Sequence, residues 1–588
     1  MERHLNNRDI LKYGDFNSNQ IFFIQRWIEL LNIHTHSKYA VRYLNTHQAL
    51  KELNYVCKEM IEGSIKRNDN HLFIVFEEVK KVINDDGIFK KNAVSYSKIL
   101  ENSLQRSPKA ENITKLYSII YQVEYVIRYV EKHYLTWIIA EINSLMSSSE
   151  EQFAEIEKVV QILASELMGR GWSVDELYSC AFELILTDMD TVSEKFGSFF
   201  DKLRSEPLPH VFLFPIKKDL AKGTKARLVE LKLDFLFGEE ILNTYTDYEL
   251  DNHISKNKEY VRVVRDSLDA YSGVNNAWQK IVGKLDILNF YGFPIPDFDT
   301  APIILLPDSS KYLRNVVVDL STKKRKFRAP DSMVNRVLKQ LETGDKEVNR
   351  KLNSLFEFTR ISDESLSPQS TFINLWIGIE SFVHSREFEG GIENVKMVVS
   401  AFSTHNYIYS LIKNFLEDCN RCELELVYQE RTYRIGKLTP QDALSLFWKD
   451  DFLDNMKAES EDLNILLSYR LRELCNILKD GKKCASLLEQ HKKNVQQHIH
   501  RLYRIRNSIV HSGQMQYNNT SLFSKHLYEY IEYAMSVVLH RLEEDSSASL
   551  EQIFAQVRDS VDTTIETLNN SRLLDQDTYI NLLLKGAF

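Results

Sequence analysis

Apolar and polar positions recur along the chain with two different periods. In NQIFFIQRWIELLNI, Ile21, Phe22, Ile24, Trp27, Ile28, Leu30 and Leu31 keep the spacing of a helix with one buried face, and residues 113–145 behave likewise. EEQFAEIEKVVQILASELMGRGWSVDELYSCAFELI follows as two amphipathic helices interrupted at Gly169 and Gly171. Ser173 and Glu176 have the spacing of a capping box that starts the second. After Pro207 the period shortens. HVFLFPI (210–216), ARLVELKLDFLF (226–237), YVRVVRD (260–266), APIILLP (301–307) and YLRNVVVDL (312–320) are short runs of β-branched, aliphatic and aromatic residues. In the second, Val229, Leu231, Leu233 and Phe235 alternate with Glu230, Lys232 and Asp234, the period of a half-buried strand. One helix, SGVNNAWQKIVGKLDILNFY, divides the series, and the basic run STKKRKFRAP (321–330) closes it. Helical spacing returns in residues 369–383, 462–478, 494–511 and 524–544, while the acidic KDDFLDNMKAESEDLN reads as a solvated connection with a short helix. The pattern predicts a mainly α protein: a helical N-terminal region (1–204), a small α/β domain (205–330) and a C-terminal helical domain (331–588).

Composition agrees with this and narrows the chemistry. Only 19 Gly and 11 Pro occur among 588 residues, so helix breakers are scarce. A net charge of -9 argues against a general nucleic-acid coat and leaves room for a local basic site. Six scattered cysteines (Cys57, Cys180, Cys419, Cys422, Cys475, Cys484) do not form a disulfide framework. The opening MERHLNNRDI has no apolar signal region, and runs such as YLTWIIAEI are about half the length that crosses a bilayer. A soluble, cytoplasmic protein with no membrane partner is expected.

The candidate chemistry lies in LYRIRNSIVHSG. At ~100° per residue, Leu502, Ile505 and Ile509 share one face, and Arg504, Asn507 and His511 gather opposite. Arg506 falls at the edge of the apolar stripe. Gly513 is placed to end the helix, which leaves His511 in a last turn whose dipole favours the imidazolium. An arginine fork matches phosphate oxygens, and a histidine near neutrality exchanges a proton with a ribose 2′-hydroxyl or a leaving 5′-oxygen. Such chemistry needs no metal or other cofactor.

Arg506-Asn507-Ser508-Ile509-Val510-His511 resembles the motif of the HEPN superfamily: an Arg, a polar residue, three more residues and a His. Upstream, FINLWIGIESFVH (372–384), with Trp376 and Glu380, is similar to an early helix of the Apea-like HEPN group. The resemblance covers roughly residues 345–545. It implies a helical bundle, a metal-independent endoribonuclease leaving 2′,3′-cyclic phosphate ends, and a homodimer whose two motif helices form one cleft. It also implies a setting in bacterial anti-phage defence by abortive infection, with residues 1–330 sensing a possible phage-derived trigger or restraining the nuclease. The catalytic residues it implies are Arg506, Asn507 and His511, with Glu380 as a carboxylate able to orient Arg506 or His511. Arg504 is the alternative partner of His511; Asn507 beside Arg506 completes the commoner pattern. Lys492, Lys493, Arg501, Arg504 and the stacking face of Tyr503 are expected to contact RNA. The alternative function is a non-catalytic HEPN module for dimerisation or partner binding.

Three other motifs carry less. Cys419-Asn420-Arg421-Cys422 has the spacing of half a zinc site, but no second such pair exists, so no metal is expected. Glu230-Leu231-Lys232 has the form of the ExK end of a metal-dependent nuclease core, which is the remaining rival. KGTKA (222–226) lacks the earlier glycine of a phosphate loop.

Overall fold

A computed structural model describes residues 5–32, 44–63, 65, 67–218, 222–307, 309–320, 331–388, 391–512, 520–570 and 574–584. These are mainly helical, with one five-stranded antiparallel sheet and one two-stranded hairpin. No described helix is long and apolar enough to cross a membrane.

The N-terminal helices surround Ser18–Leu31, which Asn17 and Gln20 start with a reciprocal capping box. This helix is buried nearly all round, Gln25, Arg26 and Glu29 included, so its polar groups must find partners inside. Arg26 pairs with Glu29 and Glu157, and Arg470, from the distant helix Ile465–Leu478, pairs with both carboxylates. Burial alone would raise the pKa of Glu157; Arg470 and Arg26 hold it at about 2. The N-terminal core also takes in Ile465 and Leu466, so the two ends of the chain share one interior. Ser173 accepts from Glu176 N at 3.1 Å, the first half of the expected capping box; for the second half Ser173 N donates to Asp269 Oδ2 (2.9 Å) rather than to Glu176, and Gly171 (φ 110) supplies the left-handed cap of the preceding helix.

The sheet runs, edge to edge, Asp234–Phe237, Glu259–Ser267, Leu208–Pro215, Ile303–Leu305, Tyr312–Leu313, with every pair antiparallel. Helix Ala270–Phe290 covers one face through Trp278 and Ile281 against Phe212, Phe214 and Val261. Two expected strands are revised. Residues 226–237 divide into the helix Lys222–Glu230, a left-handed Lys232 (φ 62), and a strand only from Asp234. The alternating run is also consistent with one turn that buries Leu228 and Leu233, and the neighbouring strand offers pairing only up to Arg262. In 312–320 only Tyr312 and Leu313 pair, while Val316, Val318 and Leu320 fill the core without joining the ladder.

The C-terminal half builds two cores. One joins Lys346–Glu364, Pro368–Phe382, Gly391–His405 and Thr520–Glu544 to the last turns of the 32-residue helix Gly481–Ser512. The other collects Tyr407–Arg421, Ile465–Leu478, Gln576–Leu583 and the start of the same long helix. The acidic stretch belongs to this second core rather than to solvent: Asp450–Leu463 is a full helix burying Phe452, Leu453 and Met456. The basic run 321–330 and Gly513 lie outside the described residues.

Candidate nuclease site at the end of a long helix

Gly481–Ser512, here the motif helix, is held on two sides. Val495, Ile499, Leu502 and Ile505 point into the core that contains Trp376, Phe372 and Ile379. The opposite face was expected to be open. It is instead covered by the N-terminal helices Thr46–Glu62 and Asp69–Asp85. Arg501 is buried and donates to Glu52 (2.9 Å) and Glu78; Arg504 is buried and pairs with Glu52. Burial raises the pKa of Tyr55, with Ser508 only partly opposing the shift. Arg501 and Arg504 are therefore structural cations rather than exposed phosphate contacts. Helical periodicity could not foresee this, because the counter-charges come from a segment more than 400 residues away.

The other expected contacts divide in the same way. The Tyr503 ring is half-buried between Trp376 (centroids 5.8 Å apart) and His71 (5.7 Å), so both neighbours of its expected stacking face are already aromatic. Lys492 pairs with Asp562 at 2.7 Å, and Lys493 is exposed. Both lie roughly 27 Å along the helix from His511, too far to share its substrate phosphate. Glu380 accepts from Trp376 Nε1 at 2.9 Å, one helical turn away. A Cβ at Gly391 would collide with this carboxylate, which sits against the start of Gly391–His405 as a dipole-matching anion. Among the described residues it makes no bond to Arg506 or His511.

What stays open is the end of the helix. Arg506 is half-exposed and donates from Nη1 to Asn507 Oδ1 at 3.1 Å, which fixes the guanidinium beside a buried amide. His511 is exposed in the last described turn, and Val510 beside it is 50% exposed. The helix end thus places a partly exposed guanidinium five residues before an exposed imidazole. The helix Pro368–Phe382, which carries Trp376, packs directly against the motif helix through the Trp376–Tyr503 contact.

His491, His498 and His500, which the sequence groups with the basic residues as an RNA-facing cluster, instead line this helix inside the fold. His500 faces His71 (5.3 Å), His498 bonds the Tyr530 hydroxyl (2.9 Å), and His491 stacks on Tyr407 at 3.6 Å. Burial, with His71 and Lys396 adding, pushes His500 down to about 3. These rings are packed inside the fold, whereas the His511 ring is exposed.

The rival motifs find no supporting geometry. Glu230 ends a helix and pairs with Arg227 at 2.7 Å, so the ExK residues do not share a strand. Cys419, Cys422, Cys475 and Cys484 are free thiols in the second C-terminal core; burial raises Cys422 to about 12 and Cys475 and Cys484 to about 11. Among the described residues, Glu176, Cys180 and Glu183 converge as metal ligands would, but Lys202 Nζ lies between them, 2.7 Å from Glu176 and 2.6 Å from Glu183. The ammonium takes the place of an ion.

Compared with protein-family models, with curated proteins and with solved structures, the chain finds no match in any of the three.

Proposed function

We propose that the chain is a HEPN-type endoribonuclease acting in anti-phage defence by abortive infection, cutting RNA without a metal ion. The observation that carries the reading is a juxtaposition. The two segments resembling that family, around Trp376 and around Arg506–His511, pack against each other, and the motif's Arg and His remain solvent-accessible where the flanking groups are buried. In the proposed reaction the ribose 2′-oxygen attacks the adjacent phosphorus and the P–O5′ bond breaks. A histidine accepts the 2′-hydroxyl proton and another proton is delivered to the 5′-oxygen, leaving a 2′,3′-cyclic phosphate and a 5′-hydroxyl. Arg506 holds the phosphate and Asn507 holds Arg506. One chain offers one His511, so separate acid and base call for a homodimer that brings two such helix ends together.

Incubating the full chain with RNA in excess EDTA tests this. Cleavage to cyclic phosphate ends that vanishes in His511→Ala and Arg506→Ala supports the nuclease. Cleavage that requires a divalent metal and ignores both substitutions overturns it. A second reading, a non-catalytic HEPN module, is favoured by the burial of Arg501 and Arg504; it predicts tight self-association with no cleavage under any condition.

A further inference from the structure

The helix Ile113–Met146 carries a feature that the nuclease reading does not use. Tyr117, Tyr121, Tyr125, Tyr129, His133 and Trp137 follow one another at four-residue intervals, so they form a ridge about 30 Å long that winds across the side of the helix away from the core. The opposite face, from Leu116 and Val123 to Ile138, is core. Aromatic rings of this size are ordinarily buried, yet Tyr117, Tyr121 and Tyr125 are 44%, 67% and 57% exposed. The rings are ordered against each other. Tyr117 and Tyr121 are near-parallel with centroids 6.3 Å apart, His133 and Trp137 are parallel at 5.8 Å, and Tyr96 from the neighbouring helix Val94–Ser103 lies flat on Tyr129 at 4.1 Å.

The charges around the stripe are sorted by sign. Glu124 is held by Lys58 (2.6 Å), Glu131 by Lys51 (2.9 Å) and Glu141 by Lys91 (3.0 Å). Among the described residues, exposed Lys115, Arg128, Lys132 and Lys98 close no ion pair. In a chain of net charge -9, three carboxylates of this helix each have a lysine partner, while exposed Lys115 and Lys132 close no ion pair among the described residues. The rung spacing of about 6 Å is nearly twice the ~3.4 Å rise of stacked bases, so the rings cannot follow a duplex or a continuous base stack. They suit bases that are splayed apart, and the gap between Tyr117 and Tyr121 is close to the two stacking distances one inserted base occupies.

We propose that this aromatic ladder is a stacking platform for a single-stranded nucleic acid, whose backbone runs past Arg128 and Lys132. Base–aromatic stacking supplies sequence-tolerant affinity, and these cations supply its salt dependence. The platform stands apart from His511 and holds whether or not that residue cleaves.

Fluorescence anisotropy on the full-length His511→Ala chain in EDTA, with labelled 12-mer oligouridylate, oligothymidylate and a 12-base-pair duplex, reads binding separately from cleavage. Both single strands are expected to bind, the duplex at least about tenfold more weakly. A preference for one single strand identifies RNA or DNA as the source. Tyr121→Ala and Tyr125→Ala are each expected to weaken binding roughly tenfold, while Tyr121→Phe, which keeps the ring, restores it. Arg128→Ala should lower the slope of log affinity against log salt by about one. The proposal is overturned by an absence of single-strand binding, by equal binding of the duplex, or by alanine variants that bind like the parent. It is overturned equally if Tyr121→Ala abolishes self-association in sedimentation and leaves oligonucleotide binding unchanged, because the stripe is then a face for a second copy.

Discussion

Two long helices use opposite rules of burial. Ile113–Met146, of 34 residues, keeps an ordinary apolar face inside and leaves a row of aromatic rings in solvent. Gly481–Ser512, of 32, buries two arginines, three histidines and an asparagine and, from Asn494 onward, exposes only its last described turn. The difference is one of neighbours. The first helix is covered on one side; the second is covered on two, by the C-terminal core and by the N-terminal helices, so its polar second face has to be satisfied by protein instead of water. Polarity along a helix therefore marks where partners are required and leaves open whether they are solvent, substrate or the chain's own carboxylates.

The largest expected effect tests the buried side of this contrast. Glu52 is the shared counter-charge of Arg501 and Arg504. Glu52→Ala leaves two buried guanidiniums short of a partner and should cost about 3–5 kcal/mol in urea unfolding. A loss near that of a surface ion pair, under about 1 kcal/mol, would mean that the face is hydrated in solution and the two helices are alike after all.

Next comes the open end of the motif helix. His511→Ala and Arg506→Ala should each lower cleavage by about 100-fold or more while leaving unfolding free energy within about half a kcal/mol. The split between the two readouts is the point: Arg504→Ala, two residues earlier, should lose stability first. If Arg504 and Arg506 behave alike in both assays, the boundary drawn here between clamped and accessible groups is wrong.

A smaller, graded effect separates the histidines. His500 is held near 3 in the fold, below the ~6.5 of an unfolded chain. The unfolded state therefore binds more protons throughout that interval, and stability falls as pH drops from ~6.5 toward 3, by up to about 1.4 kcal/mol per pH unit for this group. Removing the titrating ring in His500→Leu should flatten the slope of unfolding free energy against pH. An unchanged slope in His500→Leu would contradict the packing described.

How much of this was legible depended on where each partner lies in the chain. Local relations were readable: the helical spacing from Ile21 to Leu31, the Ser173 cap, the helix that ends near His511. The clamp was not, because Glu52 stands 449 residues before Arg501 and nothing in either segment names the other. The hairpin of Glu425–Tyr428 and Arg431–Arg434 escaped for a different reason: its two turn residues, Gln429 and Glu430, adopt left-handed φ of 50 and 63 without the Asn or Gly that usually announces such a turn. The ladder was written plainly as tyrosine at every fourth position. Hydrophobic periodicity assigns such a stripe to a core, and only the placement of neighbouring helices shows that Tyr117, Tyr121 and Tyr125 stay exposed.

The smallest expected effect sharpens the comparison from within one helix. Tyr134 and Tyr121 have the same side chain on the same scaffold, but Tyr134 is fully buried with its hydroxyl on Asp86, whereas Tyr121 is two-thirds exposed. Tyr134→Ala opens a core cavity and removes one of three donors to the buried Asp86 carboxylate, and should cost about 3–5 kcal/mol. Tyr121→Ala removes a ring that touches mainly other exposed rings, and should change unfolding free energy by no more than about half a kcal/mol. A ring that contributes so little to folding has no structural reason to be tyrosine. If Tyr121→Ala instead costs more than about 1.5 kcal/mol, the stripe is a covered surface in solution, and its rings belong to the fold in the same sense as those along the motif helix.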